Sequence, residues 1–199
     1  MVGPGKYIDT NKWKVVCPSI LGAPTGTTSP LSIDPRTGVR YGIYFPQITT
    51  LDQARVHKLV LDHMKISEVQ AVVGSSLGGM QALQLVVEYP EVARKMVNIS
   101  STSHTSPGTV AIRRIQRLSV ISDPQFHHGH YYEHNTWPVH GMKVARTVGL
   151  FSYRSTSEFN DRFSWKPQPP YDVRSHVFDV EKWLDEKTEP FASTYDPNC

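Results

Sequence analysis

The chain has 199 residues, 39% of them apolar, and its 21 basic and 18 acidic side chains leave a net charge of +3. That length suits one domain with a core of its own, the small and interspersed charge excludes a nucleic-acid footprint, and no apolar run approaches the ~20 residues that span a bilayer. Two cysteines make no disulfide framework. Cys17, inside an apolar run, is expected to be buried, and Cys199 to be exposed. The opening Gly3-Pro4-Gly5-Lys6 lacks an apolar signal core, so a cytoplasmic location is expected.

In chain order, residues 13–17 read as a short, largely buried strand that stops at Pro18. Residues 18–46 form a long excursion rich in glycine, proline and threonine, with a turn at Asp34-Pro35-Arg36-Thr37-Gly38. Tyr41, Tyr44 and Phe45 are placed to anchor it. Thr49 or Thr50 caps a helix over roughly 51–64, where Ala54, Leu59, Leu61 and Met64 follow helical spacing.

The next stretch carries the chemistry. An apolar run over 69–73 ends at Gly74-Ser75-Ser76-Leu77-Gly78, and a helix then extends to Tyr89-Pro90. This is the G-x-S-x-G pattern in a strand–turn–helix context, the nucleophile elbow. Small residues are needed on both sides of Ser76, because the backbone there is crowded and strained. The turn lifts the Ser76 hydroxyl above the sheet and points the Leu77 amide and the helix N-terminus at a developing oxyanion.

Another strand follows over 96–99, and no strand is expected after Ile99. Residues 109–121 read as a helix bearing Arg113, Arg114 and Arg117, which Asp123-Pro124 ends. Helices follow over 141–153, 157–163 and 177–184. The expected architecture is α/β: a partial α/β-hydrolase fold, mostly parallel sheet, with a helical lid. Residues 1–106 form the partial core with the elbow, and 107–199 the lid region.

A serine nucleophile needs a base and an orienter. The acids after the elbow include Asp123, Asp161, Asp172, Asp179 and Asp185, and His176 is the one late histidine, but no strand order forces a pair. His127, His128, His130, His134 and His140 cluster without the spacing of a metal motif, and no metal is expected. Arg113, Arg114 and Arg117 share one helix side, where guanidinium forks suit a carboxylate or phosphate as well as a solvated surface.

Across almost the whole chain the sequence resembles the homoserine O-acetyltransferase family of α/β-hydrolase-fold acyltransferases, which includes fungal serine O-acetyltransferase-like and deacetylcephalosporin C acetyltransferase-like members. The resemblance rests on Gly3-Pro4-Gly5-Lys6, Ile8-Asp9-Thr10, Gly26-Thr27-Thr28, Phe45-Pro46 and Gly78-Gly79-Met80-Gln81-Ala82-Leu83. It continues through Gln116-Arg117, Asp123-Pro124, Ala145-Arg146, Tyr153-Arg154-Ser155 and Asp196-Pro197-Asn198. It implies acetyl transfer from acetyl-CoA, a co-substrate and not a tightly bound cofactor, to the hydroxyl of an amino acid or small metabolite through an acyl-serine.

By this resemblance Ser76 is the nucleophile, Leu77 supplies one oxyanion amide, and Arg117 binds substrate near the site entrance. The partners implied are acetyl-CoA and a hydroxyl-bearing small molecule, with a homo-oligomer possible for the family and neither nucleic acid nor membrane involved. Family members extend beyond both ends of this stretch, and the expectation is a chain truncated at both ends without the catalytic aspartate and histidine. A serine esterase or hydrolase, and an inactive binding fragment, remain alternatives.

Overall fold

Thr49 opens the first helix, α1 (Thr50–His63), through a reciprocal capping box. Its hydroxyl accepts from the Asp52 amide at 3.2 Å, and the Asp52 carboxylate accepts from the Thr49 amide at 2.8 Å. The helix continues because its apolar positions recur on one side and bury Ala54 and Leu61. The computed structural model describes every residue except Pro170, Val173 and His176, so the candidate base His176 lies outside the described residues.

The chain divides into two compact units. The first comprises Met1–Thr28 and Gln47–Ser103, and the second Ser29–Pro46 and His104–Cys199. In the first, α1 is followed by β1 (Val72–Ser75), α2 (Leu77–Glu88) and β2 (Met96–Ile99). The strands pair in parallel, with Val72 opposite Met96 and Ser75 opposite Ile99, and a bridge from Val69 to Ala93 extends the pairing. Leu85, Val92, Ala54 and Leu61 form the core, with Ile66, Val69, Val72, Tyr89 and Ala93 packed against it.

The second unit holds α3 (Pro107–Ile121), α4 (Val139–Ser152), α5 (Thr156–Arg162) and α6 (Asp179–Thr194). Helix α4 packs against both α3 and α6. Asp123 is buried and joins two segments, accepting from the Gln125 amide at 2.9 Å and from the Gly141 amide at 2.8 Å. Close packing there is permitted by Gly141, whose missing Cβ would sit 2.5 Å from the Ser119 carbonyl oxygen. Asp196, 1% exposed, accepts from the hydroxyls of Tyr131 at 2.8 Å and Tyr132 at 2.6 Å.

Four expectations are corrected. The fold is not mostly parallel sheet: among the described residues the sheet has two strands of four residues each, and helices dominate. Residues 13–17 form no strand, with Trp13 50% and Val15 43% exposed. A strand needs a neighbour to satisfy its backbone, whereas a helix satisfies its own locally. Cys17 is therefore exposed and Cys199 partly buried, the reverse of the expectation. The last helix, expected over 177–184, runs from Asp179 to Thr194 through Pro190. Among the described residues, no helix is long and apolar enough to cross a membrane.

Candidate active site

Ser76 sits between β1 and α2 with φ 51° and ψ −123°, a left-handed conformation that a non-glycine residue adopts only when its surroundings impose it. Three hydrogen bonds do so. The Ser76 amide donates to the Ile99 carbonyl at 3.0 Å, at the end of β2. Its own carbonyl accepts from the amides of Gly79 at 3.0 Å and Met80 at 3.2 Å, opening α2. The Ser76 amide is thus occupied, whereas the Leu77 amide donates to nothing among the described residues and belongs to the uncapped first turn. The Ser76 side chain is exposed, and its hydroxyl has no hydrogen-bond partner among the described residues.

The crowding lies partly elsewhere than expected. A Cβ on Gly74 would stand 2.2 Å from the Gly78 carbonyl oxygen, so no larger residue fits there. On the other side the tight position is Gly79, not Gly78. A Cβ on Gly79 would meet Asn98 Oδ1 at 2.3 Å and Ser101 Cβ at 2.6 Å, while one on Gly78 meets nothing within 4 Å. Sequence reasoning missed Asn98 and Ser101; the Gly78-Gly79 doublet was the signal that one of the two glycines answers to a neighbouring segment.

Arg117 lies exposed on α3 and makes no ion pair among the described residues. Arg113 donates to Gln116 Oε1 at 2.9 Å, which takes it partly out of use. The candidate acids hold other duties. Asp123 joins two backbone segments, and Asp172 pairs with Arg174 at 2.9 Å, which holds its carboxyl below the usual range. Asp161 lies 3.5 Å from the Ser157 hydroxyl, and Asp179 begins α6.

In the histidine loop the rings of His127 and His134 stack 3.9 Å apart, and His130 Nδ1 lies 3.5 Å from Glu133. No group of three or more His, Cys, Asp or Glu side chains placed to hold a metal ion occurs among the described residues. A hollow of about 410 Å³, lined by Arg40, Tyr41, Tyr44, His130 and Tyr132 among others, lies wholly in the second unit and is lined by none of Ser76, Leu77 or Arg117.

The chain is similar to known proteins over its whole length. The chain is 38% identical to homoserine O-acetyltransferase of Methanosalsum zhilinae over 100% of its own length and 41% of that protein's. It is 39% identical to serine O-succinyltransferase of Stenotrophomonas maltophilia, over 100% of this chain and 55% of that protein. It therefore spans about half the length of the curated relatives it matches. Among solved structures, homoserine O-acetyltransferase from Bacillus anthracis superposes with a TM-score of 0.86 at 30% identity, covering 98% of this chain and 54% of that one. An esterase superposes with a TM-score of 0.83 at 27% identity, covering 99% of this chain and 56% of that one. The family model for the alpha/beta hydrolase fold matches residues 5–196. The chain belongs to the α/β-hydrolase-fold family.

Proposed function

We propose that this chain carries the nucleophile of an acyl-CoA-dependent O-acyltransferase acting on the hydroxyl of an amino acid such as homoserine or serine. The observation that carries the reading is the conformation of Ser76, held at φ 51° and ψ −123° at the strand–helix junction. The names and similarity of the homoserine O-acetyltransferase and serine O-succinyltransferase relatives supply the reaction class. Acetyl-CoA is the proposed donor and a cytoplasmic amino acid the proposed acceptor.

In this reading Ser76 Oγ attacks the thioester carbonyl carbon. Negative charge moves to the carbonyl oxygen, which the free Leu77 amide and the positive end of α2 stabilise. The carbon–sulfur bond breaks, CoA leaves as the thiolate, and its sulfur takes the proton released from Ser76. The acceptor hydroxyl then attacks the acyl-serine and passes its proton back to Ser76 Oγ. Arg117, with no intramolecular ion pair among the described residues, is the proposed partner of the acceptor's carboxylate. Residues 107–199 are proposed as the lid portion that limits water at the acyl-serine. Assembly into a homo-oligomer is part of the same proposal.

Similarity to an esterase favours a second reading, in which water replaces the acceptor hydroxyl. Acetyl-CoA consumption with and without homoserine or serine separates the two. Transfer requires ester product that rises with acceptor concentration. Acetate release at a rate indifferent to acceptor would establish the hydrolase instead.

A further inference from the structure

The elbow does not stand alone. Ser75 pairs with Ile99 in the parallel sheet, so the residues that follow, Ser76 and Ser100, leave the two strands side by side. Both leave them in the left-handed region, with φ 51° at Ser76 and 49° at Ser100. Two adjacent non-glycine residues in this region are a costly coincidence unless one turn supports the other. They are joined through the bond from the Ser76 amide to the Ile99 carbonyl, and that carbonyl belongs to the peptide whose nitrogen is Ser100's.

The next residue completes the support. The Ser101 hydroxyl is buried and has no hydrogen-bond partner among the described residues, so hydrogen bonding does not account for its place. Its position is explained by packing. Ser101 Cβ and Oγ would lie 2.6 and 2.8 Å from a Cβ on Gly79, so Ser101 sits directly against the bare Cα of Gly79. Gly79 in turn donates to the Ser76 carbonyl. The contact therefore reaches Ser76 from its C-terminal side, while the Ile99 carbonyl reaches it from its N–H side.

We propose that the exit turn of β2, Ser100-Ser101, is a positioning element for Ser76. Ser100 turns the chain so that the Ile99 carbonyl meets the Ser76 amide, and Ser101 seats Gly79 so that α2 starts at a fixed distance from the sheet. Neither serine is required to touch substrate. The catalytic meaning of the element rests on the proposed role of Ser76, but the geometric claim does not.

The test is amide hydrogen exchange followed by NMR on this 199-residue protein. It compares wild type with Gly79→Ala, with Gly79→Ala combined with Asn98→Ala, and with Gly79→Ala combined with both Asn98→Ala and Ser101→Gly, because a Cβ on Gly79 would meet Asn98 Oδ1 at 2.3 Å as well as Ser101 Cβ at 2.6 Å. Exchange is read at Ser76 and at Val72, whose amide donates to the Lys95 carbonyl in the same sheet at 2.9 Å. Gly79→Ala is expected to speed exchange at Ser76 by about tenfold or more while Val72 changes little, because only the local bond is broken. Gly79→Ala with Asn98→Ala, which still meets Ser101, is expected to stay poorly protected at Ser76, and the triple variant, having also lost the Ser101 Cβ and Oγ, is expected to recover most of the protection.

Equal acceleration at Ser76 and Val72 in Gly79→Ala, or no recovery in the triple variant, would overturn the proposal, since either result makes Gly79 an ordinary packing residue. Should Gly79→Ala not fold, recovery of the folded state and of Ser76 protection by adding Ser101→Gly to the Gly79→Ala, Asn98→Ala protein supports the seat, and failure to recover refutes it. Acetylation of Ser76 by acetyl-CoA, measured on the same proteins, addresses the other question. Protected exchange without any acetylation leaves the positioning element standing and removes the acyltransferase reading.

Discussion

Ser76 and Ser100 occupy matching places, one step past the paired residues Ser75 and Ile99, and both are left-handed, at φ 51° and 49°. Ser76 is therefore held by β2 on its N–H side and by the start of α2 on its carbonyl side. Its amide is committed to the Ile99 carbonyl, whereas the Leu77 amide at the start of α2 donates to nothing among the described residues.

The elbow's steric demands predict opposite outcomes at two glycines of one motif. Gly74→Ala forces a Cβ to within 2.2 Å of the Gly78 carbonyl oxygen, which is backbone and cannot swing aside. Its cost is expected to be about 3 kcal/mol or more, read as a lower urea midpoint. Gly78→Ala places its Cβ in open space inside α2, where alanine is favoured over glycine by up to about 1 kcal/mol, so stability is expected to hold or rise. Equal losses at both positions would contradict the account.

The buried Asp196 predicts a second asymmetry. Tyr131, fully buried, and Tyr132 both donate to it, and burial first, then these bonds, push both phenol pKa values well above their usual range. Tyr131→Phe removes one donor from a carboxylate that water cannot reach, at an expected cost of about 1–3 kcal/mol. Asp196→Asn in the Tyr131→Phe background is expected to cost less than the sum of the two single changes, because one group's loss already leaves the other unsatisfied. Strict additivity in denaturation would show that the three side chains do not act together.

The two cysteines should separate chemically. Burial, then the nearby Asp196 carboxylate, push the Cys199 thiol up to about 12, while Cys17 is exposed. Thiolate is the reactive species. At mildly alkaline pH, iodoacetamide is expected to modify Cys17 well before Cys199, as read by peptide mass spectrometry. Faster modification of Cys199 would mean that its segment is not packed as described.

His57 gives a pH dependence with a defined sign. Its Nε2 is buried without a hydrogen-bond partner among the described residues, and desolvation lowers its pKa from 6.5. The folded protein resists protonating it, whereas the unfolded chain does not. The unfolded state therefore binds more protons as pH falls below 6.5, and stability drops. The contribution is complete above 6.5 and is lost as pH falls through the depressed folded value. His57→Leu is expected to show a shallower loss of stability than wild type between about pH 7 and 5, measured by urea titration. Parallel curves would show that His57 titrates as freely folded as unfolded.

Much of the helical half was legible because helices write their own boundaries. Thr49 caps α1, Asp123-Pro124 follows α3 closely, and the apolar spacing of α1 and α4 reads directly. The sheet was harder, since a strand depends on partners that its own residues do not specify. Residues 13–17 have strand composition and no strand pairing. Helix α6 was read too short because a charged run and Pro190 look like a stop; Thr188 and Ala192 are nonetheless buried, and Trp137 Nε1 donates to the Ala192 carbonyl at 2.8 Å. At the site, Ser76 was visible as a motif. Ser101 was not, because its role comes from a packing distance to Gly79 that no spacing encodes.

The most direct measurement of the central claim is acetylation of Ser76 itself. The protein and its Ser76→Ala variant are incubated with radiolabelled acetyl-CoA, quenched in acid and digested, and the labelled peptide is sequenced by mass spectrometry. One acetylated residue is expected, Ser76, which loses its label when homoserine or serine is added and yields the O-acetyl amino acid. Equal labelling of the wild type and Ser76→Ala, or no label on Ser76 in an otherwise folded protein, would contradict it.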